Sequence, residues 1–310
     1  MIIMPTQRGT AQFRQTLTTY AVGVSQDTKT ALADFFAPRV PTGSGIGYYK
    51  AYSDKNDFQK YSTVRAVGGT ATRIRLDAED KTYNCAPNAL EVAIDDVERE
   101  RAGEAVNQLE EAKVRSLVIS AALAREDRVL KKVRTGVTAA SGLGVWSNAA
   151  NDPIAELDQL IQEIADETGI LPNAMALGLS TWRVLKNHPK VVGRRSGAAT
   201  AVVGLRDLAD MLLNPSIDIR IGMMSLDKNK FGKEKNAEVL IGADLFVFCR
   251  QDSPTVFDPS FCKTFSVGTS SVDAVRQYRD ETCRSDIYAV DWSEDIQVVA
   301  PTACRRITLS

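Results

Sequence analysis

Few residues in this chain have the types and spacing that chemistry requires. There is one histidine, His188, just ahead of Pro189. A lone histidine supplies neither a histidine-based triad nor a histidine-rich metal site. At a predicted helix end, where the dipole favours its charged form, it reads as structural or exposed. The five cysteines (Cys85, Cys249, Cys262, Cys283 and Cys304) are odd in number, widely spaced and free of any C-x-x-C. That pattern suits buried free thiols in a reducing cytoplasm, not a disulfide framework or a zinc site. Gly43-Ser44-Gly45-Ile46-Gly47 is glycine-rich but lacks G-x-G-x-x-G spacing. It precedes a predicted strand, so no helix N-terminus follows to cradle a phosphate. Neither a P-loop nor a G-x-S-x-G elbow occurs. Asp95-Asp96 and Glu110-Glu111 are adjacent on a predicted helix, about 100° apart, and read as solvated faces rather than acid/base pairs. Lys190 with Arg194-Arg195 reads as a solvated basic loop. No catalytic, cofactor-binding or metal-ligating residue is assigned, and no enzyme activity is expected.

The elements around these residues explain more than the residues do. The 310-residue chain is 44% hydrophobic and 25% charged, with formal net charge -1. Such neutrality argues against a dedicated nucleic-acid binder, which carries a basic face. No apolar run approaches the ~18 residues that span a bilayer. The start, Met-Ile-Ile-Met-Pro, has no apolar region of signal-peptide length, so neither export nor a membrane partner is expected.

The stretch from Asp95 to Arg134 dominates the pattern. It has no proline and a single interior glycine, Gly103. Asp95, Asp96 and Glu98 crowd its start, and Lys131, Lys132 and Arg134 its end, the charge order a helix dipole favours. A single helix of this length would run roughly 60 Å. Its first half carries Ala102, Ala105, Val106 and Leu109 on one side. Leu117 to Ala124 is apolar nearly all round and should be covered on several sides. The apolar positions hold no heptad, which argues against a coiled coil. The helix should cross a mixed protein with its two ends in different surroundings.

Ahead of it, residues 1–44 read as an arm. Thr6 to Thr30 is polar, and Phe35-Phe36-Ala37-Pro38-Arg39-Val40-Pro41 supplies an aromatic anchor on an extended path, suited to docking on another subunit. Residues 45–86 read as a two-stranded ribbon, with strands near Ile46 to Tyr52 and Ala71 to Leu76. A ribbon this polar cannot support itself in water and must lie on a neighbour. After the helix, Asp152-Pro153 caps and opens a second helix that ends at Gly169. A short strand lies within Ile170 to Leu179. Ser180 caps a helix holding Trp182 and Leu185, stopped by Pro189. Leu205 to Leu212 is helical. Ile217 to Ile221 alternates as a strand, and Val239 to Cys249 reads as a central strand apolar on both faces. Tyr288, Val290 and Trp292 mark one further strand, and Ile296, Val298 and Ala300 the next.

In this order the elements resemble the major capsid proteins of tailed bacteriophages, with the Hong Kong 97-type fold. The resemblance covers nearly the whole chain. It rests on the arm at Phe35 to Val40, the ribbon with Arg65-Ala66-Val67-Gly68 and Tyr83-Asn84-Cys85, and the long helix. It rests also on Asp152-Pro153 to Thr168-Gly169, on Pro172-Asn173, Trp182, Leu185 and His188-Pro189, and on the closing strands from Ser285 to Val299 and Pro301 to Ile307. The resemblance implies an α+β fold in four parts. These are an N-terminal arm (1–44), an E-loop (45–86), a peripheral domain (87–138 and 271–300, spine helix 95–134) and an axial domain (139–270 and 301–310). It implies a virion protein, assembled in the host bacterial cytoplasm. Hexamers and pentamers of it would close an icosahedral shell around double-stranded DNA, held without sequence preference. The arm leaves no room for a long cleaved scaffolding segment, so a separate scaffold protein or an already trimmed chain is expected; a portal and cement proteins are the further partners. No lysine–asparagine crosslink is marked. Residues expected at subunit contacts are Phe35, Phe36, Arg39, Phe58, Tyr61, Arg65, Arg73 and Arg75. An encapsulin-like compartment protein is a close variant. A soluble α/β enzyme dimerising through the long helix is the reading from another class.

Overall fold

The computed structural model describes residues 12–13, 31–52, 60–61, 63–65, 67–73, 78–194, 203–229, 233–234, 236–258, 260–268 and 274–309. In chain order these begin with strand β1 (Gln12–Phe13), helix α1 (Ala33–Phe36) and strands β2 (Arg39–Thr42), β3 (Ile46–Tyr52), β4 (Ala78–Asn84) and β5 (Ala86–Asp95). Helices α2 (Asp96–Ala102), α3 (Val106–Gly136) and α4 (Pro153–Thr168) follow. Next come β6 (Ala174–Gly178), α5 (Leu179–Asn187), α6 (Pro189–Arg194), α7 (Leu205–Met211), β7 (Asp218–Gly222), β8 (Ser225–Asp227) and β9 (Ala237–Val239). Strands β10 (Asp244–Phe248), β11 (Cys262–Val267), β12 (Val275–Asp280), β13 (Ser285–Val298) and β14 (Cys304–Thr308) complete them.

Two sheets and the long helix organise the molecule. The larger sheet runs β1-β12-β13-β11-β2, with β5 also paired to β13. Strand β11, which the sequence reading counts with the axial part, hydrogen-bonds within this sheet, to β13 and in parallel to β2. The smaller sheet runs β14-β10-β6-β7, and every residue of β6 and β10 is buried, as a two-sided core requires. Helix α3 bridges the two cores. Val114, Leu117, Val118 and Ala121 pack with Ile94, Tyr288, Val290 and Trp292 on the larger sheet. Val129, Leu130 and Val133 pack with Ile154, Leu157, Phe246 and Phe248 around the smaller one. The expectation of two different surroundings for one helix therefore holds.

Four expectations are corrected. The long helix is not continuous. Gly103 adopts φ +51°, a left-handed conformation that favours glycine, and separates α2 from α3. The unbroken part is 31 residues, or about 46 Å at 1.5 Å per residue. The all-apolar stretch is not fully covered either, because Ile119 is 37% exposed. The ribbon's return strand is β4, not Ala71 to Leu76: residues 71–73 form no strand, and residues 74–77 lie outside the described residues. Tyr288 to Val298 belongs to one 14-residue strand rather than two. Smaller differences concern caps. Asp152 accepts from the Ile154 and Ala155 amides and Gly169 ends α4, as expected. Ser180 does not cap α5; its hydroxyl donates to the Gly242 carbonyl at 3.0 Å.

Candidate functional site

The residues singled out for chemistry turn out to be structural. His188 is buried, its Nδ1 accepting from the Lys190 amide at 3.3 Å and its Nε2 lying 3.4 Å from the Asn148 carbonyl. It ties the α5–α6 corner to the loop before α4. Four cysteines are buried and Cys283 is exposed, and all five are free. Burial pushes the Cys249 thiol up to about 11 and the Cys262 thiol up to about 12, so neither supplies a thiolate nucleophile at neutral pH. Glu110 is buried rather than solvated and accepts from Arg99 at 3.0 Å. No cluster of metal-ligating side chains occurs among the described residues. The Gly43–Gly47 segment leads into β3, with the Ser44 hydroxyl donating to the Ile46 carbonyl. No helix follows to hold a phosphate.

The surface that stands out is the ribbon of β3 and β4, in register from Ile46↔Asn84 to Tyr52↔Ala78. Alternation along β3 sends its residues to two faces. Tyr49 and Ala51 turn inward with Tyr83 and pack on Phe265, the rings lying 5.2 Å (Tyr49) and 4.6 Å (Tyr83) from the Phe265 centroid. Tyr83 lies over Gly47, where a Cβ would come within 2.4 Å of its hydroxyl. Ile46 and Tyr48 point the other way and are 67% and 69% exposed. Beyond the root, Val64 and Val67 are fully exposed. One face of the ribbon is thus anchored to the body, and the opposite face presents uncovered apolar side chains.

The arm segment is clamped onto the middle of α3. Glu126, buried, accepts from the Leu32 amide at 2.8 and 2.9 Å and from the Ala33 amide at 2.6 Å, satisfying the free donors at the start of α1. Burial raises the Glu126 carboxyl above its usual range, and these amides only partly offset it. Beside it, buried Arg125 bridges Glu294 at 2.9 Å and Asp34 at 2.8 Å. Glu294 also accepts from Arg128 at 2.8 Å and from the Trp292 indole at 3.0 Å. Neighbouring atoms desolvate Asp34, but Arg125 and Arg39 outweigh this and hold its carboxyl below the ordinary range.

The predicted contact residues divide accordingly. Phe35 and Phe36 are buried within their own chain, their rings 5.4 and 5.0 Å from Phe248, with Arg220 and Arg250 over the Phe35 face. The aromatic anchor therefore docks on the smaller-sheet core of its own chain. Arg39 is partly exposed and pairs with Asp34 at 3.2 Å. Tyr61 is half-buried, and Arg65 and Arg73 are exposed. Phe58 and Arg75 lie outside the described residues. Sequence reasoning missed Ile46, Tyr48, Val64 and Val67. For Ile46 and Tyr48 the signal was strand alternation, which does not say which face is covered; Val64 and Val67 lie outside the strands, and no pattern marked them.

No family model matches the chain. Two curated relatives are phage major capsid proteins. That of Pseudomonas phage JBD67 is 26% identical over 186 residues, 57% of this chain and 58% of its own length. That of Burkholderia phage BcepMu is 21% identical over 200 residues, 60% of this chain and 62% of its own length. The match thus spans less than two thirds of either relative. Among solved structures, a phage-related protein from Bordetella bronchiseptica RB50 superposes with TM-score 0.70 at 22% identity, covering 96% of this chain and 97% of that one. The capsid of cyanophage P-SCSP1u gives TM-score 0.56 at 12% identity over 91% and 88%. The SrpI encapsulin of Synechococcus elongatus PCC 7942 gives 0.55 at 12% over 91% and 87%. With this architecture along nearly its whole length, the chain has the Hong Kong 97-type fold, and in sequence it is similar to phage major capsid proteins.

Proposed function

We propose that the chain is a shell subunit that assembles, through hexamers and pentamers, into the icosahedral head enclosing a phage double-stranded DNA genome. It acts there as a structural protein of the virion and not as an enzyme. The observation that carries this reading is the ribbon: two strands anchored on one face, with Ile46 and Tyr48 uncovered on the other. An isolated hairpin is marginal in water, and an uncovered apolar face of this kind marks a contact surface. Neighbouring subunits are the natural cover for a chain with this fold. Within the reading, residues 87–138 and 271–300, joined by β11, form the peripheral domain, and the rest of residues 139–270 with 301–310 the axial domain. Arg39, Tyr61, Arg65 and Arg73, with Ile46 and Tyr48, meet other subunits. A scaffold protein, a portal, cement proteins and the packaged DNA complete the partners, with assembly in the host cytoplasm.

The similarity to an encapsulin favours a second reading, a cellular compartment shell. The relatives in sequence favour the phage. Negative-stain electron microscopy with light scattering on the purified chain tests both. Closed shells or rings of five and six are expected. A uniform monomer, with scaffold protein or crowding agents added, overturns both readings. Particles isolated from the source with protein cargo and no DNA turn the choice to the compartment.

A further inference from the structure

The smaller sheet carries complementary surfaces at its two ends. Strand β6 runs from Ala174 to Gly178, so its ends are roughly 15 Å apart. At the Gly178 end, α5 and β9 form a groove of about 510 Å³, lined by Leu179, Trp182, Arg183, Lys186 and Val239. Leu179 and Val239 are exposed. Between Ala174 and Arg206 the sequence has no acidic residue and six cations. Neither Arg183 nor Lys186 has a carboxylate within ion-pair distance among the described residues. At the Ala174 end, Ile170 and Leu171 are 48% and 47% exposed. They follow the acidic last turn of α4, where Glu163 and Glu167 share Arg305 and Asp166 has no ion pair among the described residues. One end is a cationic groove with apolar walls, and the other an acidic knob with apolar tips.

We propose that the Asp166–Leu171 knob of one chain docks in the Leu179–Val239 groove of a second copy. The two surfaces lie at opposite ends of one short strand, so they cannot meet within a chain. Between copies they meet head to tail, and a heterologous contact closes a ring when its rotation closes. The inference deepens the shell reading and rests on it. A nucleic-acid phosphate is the weaker fit. The walls of the groove are apolar, and the neighbouring cations are already engaged, Arg194 with Asp152 at 2.9 Å and Lys190 with the Ala150 carbonyl.

The test uses the full chain and follows assembly by sedimentation velocity and electron microscopy. Like charges placed across an interface strongly disfavour the contact. R183E/K186E is therefore expected to reduce the assembled fraction at least about tenfold, with an unchanged circular dichroism spectrum and melting point. Adding D166K, at the knob carboxylate that has no ion pair among the described residues, to the same chain is expected to restore assembly. In parallel, L171C chains are mixed with V239C chains, both carrying Cys283→Ser, and treated with a short bismaleimide. Assembled material should give a covalent heterodimer that free subunits do not. Three results overturn the groove while leaving the shell reading intact: wild-type assembly by R183E/K186E, assembled particles with no crosslink, or normal shells that merely retain less DNA. A wild-type chain that never assembles removes the shell reading and the groove together.

Discussion

At the scale of single residues, charges buried at the junction of arm, helix and sheet hold more of the fold than their number suggests. Glu294 is buried and receives Arg125, Arg128 and the Trp292 indole. Removing Glu294 takes from buried Arg125 one of its two carboxylates and from the Trp292 indole its acceptor, and breaking a buried pair costs about 3–5 kcal/mol. Glu294→Ala is accordingly expected to lower unfolding stability by about that amount in a urea titration, and a loss under ~1 kcal/mol would show that water replaces the carboxylate. Asp34 makes a pH-dependent contribution. Desolvation raises its carboxyl, but Arg125 and Arg39 outweigh this and hold the folded value below the ordinary 3.8. Between the lowered value and 3.8 the unfolded chain binds more protons, so stability rises with pH across that window. The advantage of wild type over Asp34→Asn should be fully present above 3.8 and vanish as pH falls through the folded value. Denaturant titrations in a pH series read this directly; a gap that stays constant through the window would mean that the arginines do not act through the Asp34 charge.

At the scale of elements, α3 is both the most legible part of the sequence and the place where its limits show. Leu117 is buried against the larger sheet and Ile119, two positions on, is 37% exposed. Leu117→Ala should cost roughly 2–5 kcal/mol, while Ile119→Ala should stay within ~0.5 kcal/mol; equal losses by chemical denaturation would contradict the assigned faces. Charge order, the Asp152-Pro153 start and the apolar run of β10 were readable because each is local. The break at Gly103 was not, since a glycine inside a helical pattern is tolerated until its φ is known. The return strand was misplaced for a different reason. Ala71 to Leu76 has the cleaner alternation, but β4 carries Tyr83, which stacks on Phe265. That partner lies far along the chain, and no local pattern reports it. The same non-local packing decided the candidate contacts. Phe35 and Phe36 look like an anchor for a partner, yet Phe246 and Phe248, far away in sequence, receive them.

At the scale of the whole molecule, a body with two cores carries the root of the β3–β4 ribbon on its larger sheet. The body holds its own arm through Glu126 and Arg125, and its two sheets share α3. Among the described residues, nothing in the ribbon beyond its root contributes to those cores. Tyr49, Ala51 and Tyr83 belong to the packing on Phe265, while Val64 and Val67 stand exposed. Stability and assembly should therefore separate. Deleting Asp54 to Thr70 removes a segment that includes exposed Val64 and Val67 and leaves the Tyr49–Tyr83–Phe265 root in place. The shortened connection carries a small loop-closure cost, well under the stability of a domain. The deleted chain is expected to remain soluble, to melt within a few degrees of wild type in calorimetry, and to form no shells under conditions where wild type does. Normal shells from this deletion would show that the ribbon covers nothing on a neighbour. A chain that fails to fold would show instead that the deleted segment packs on its own body, and that the face of Ile46 and Tyr48 is closed from within.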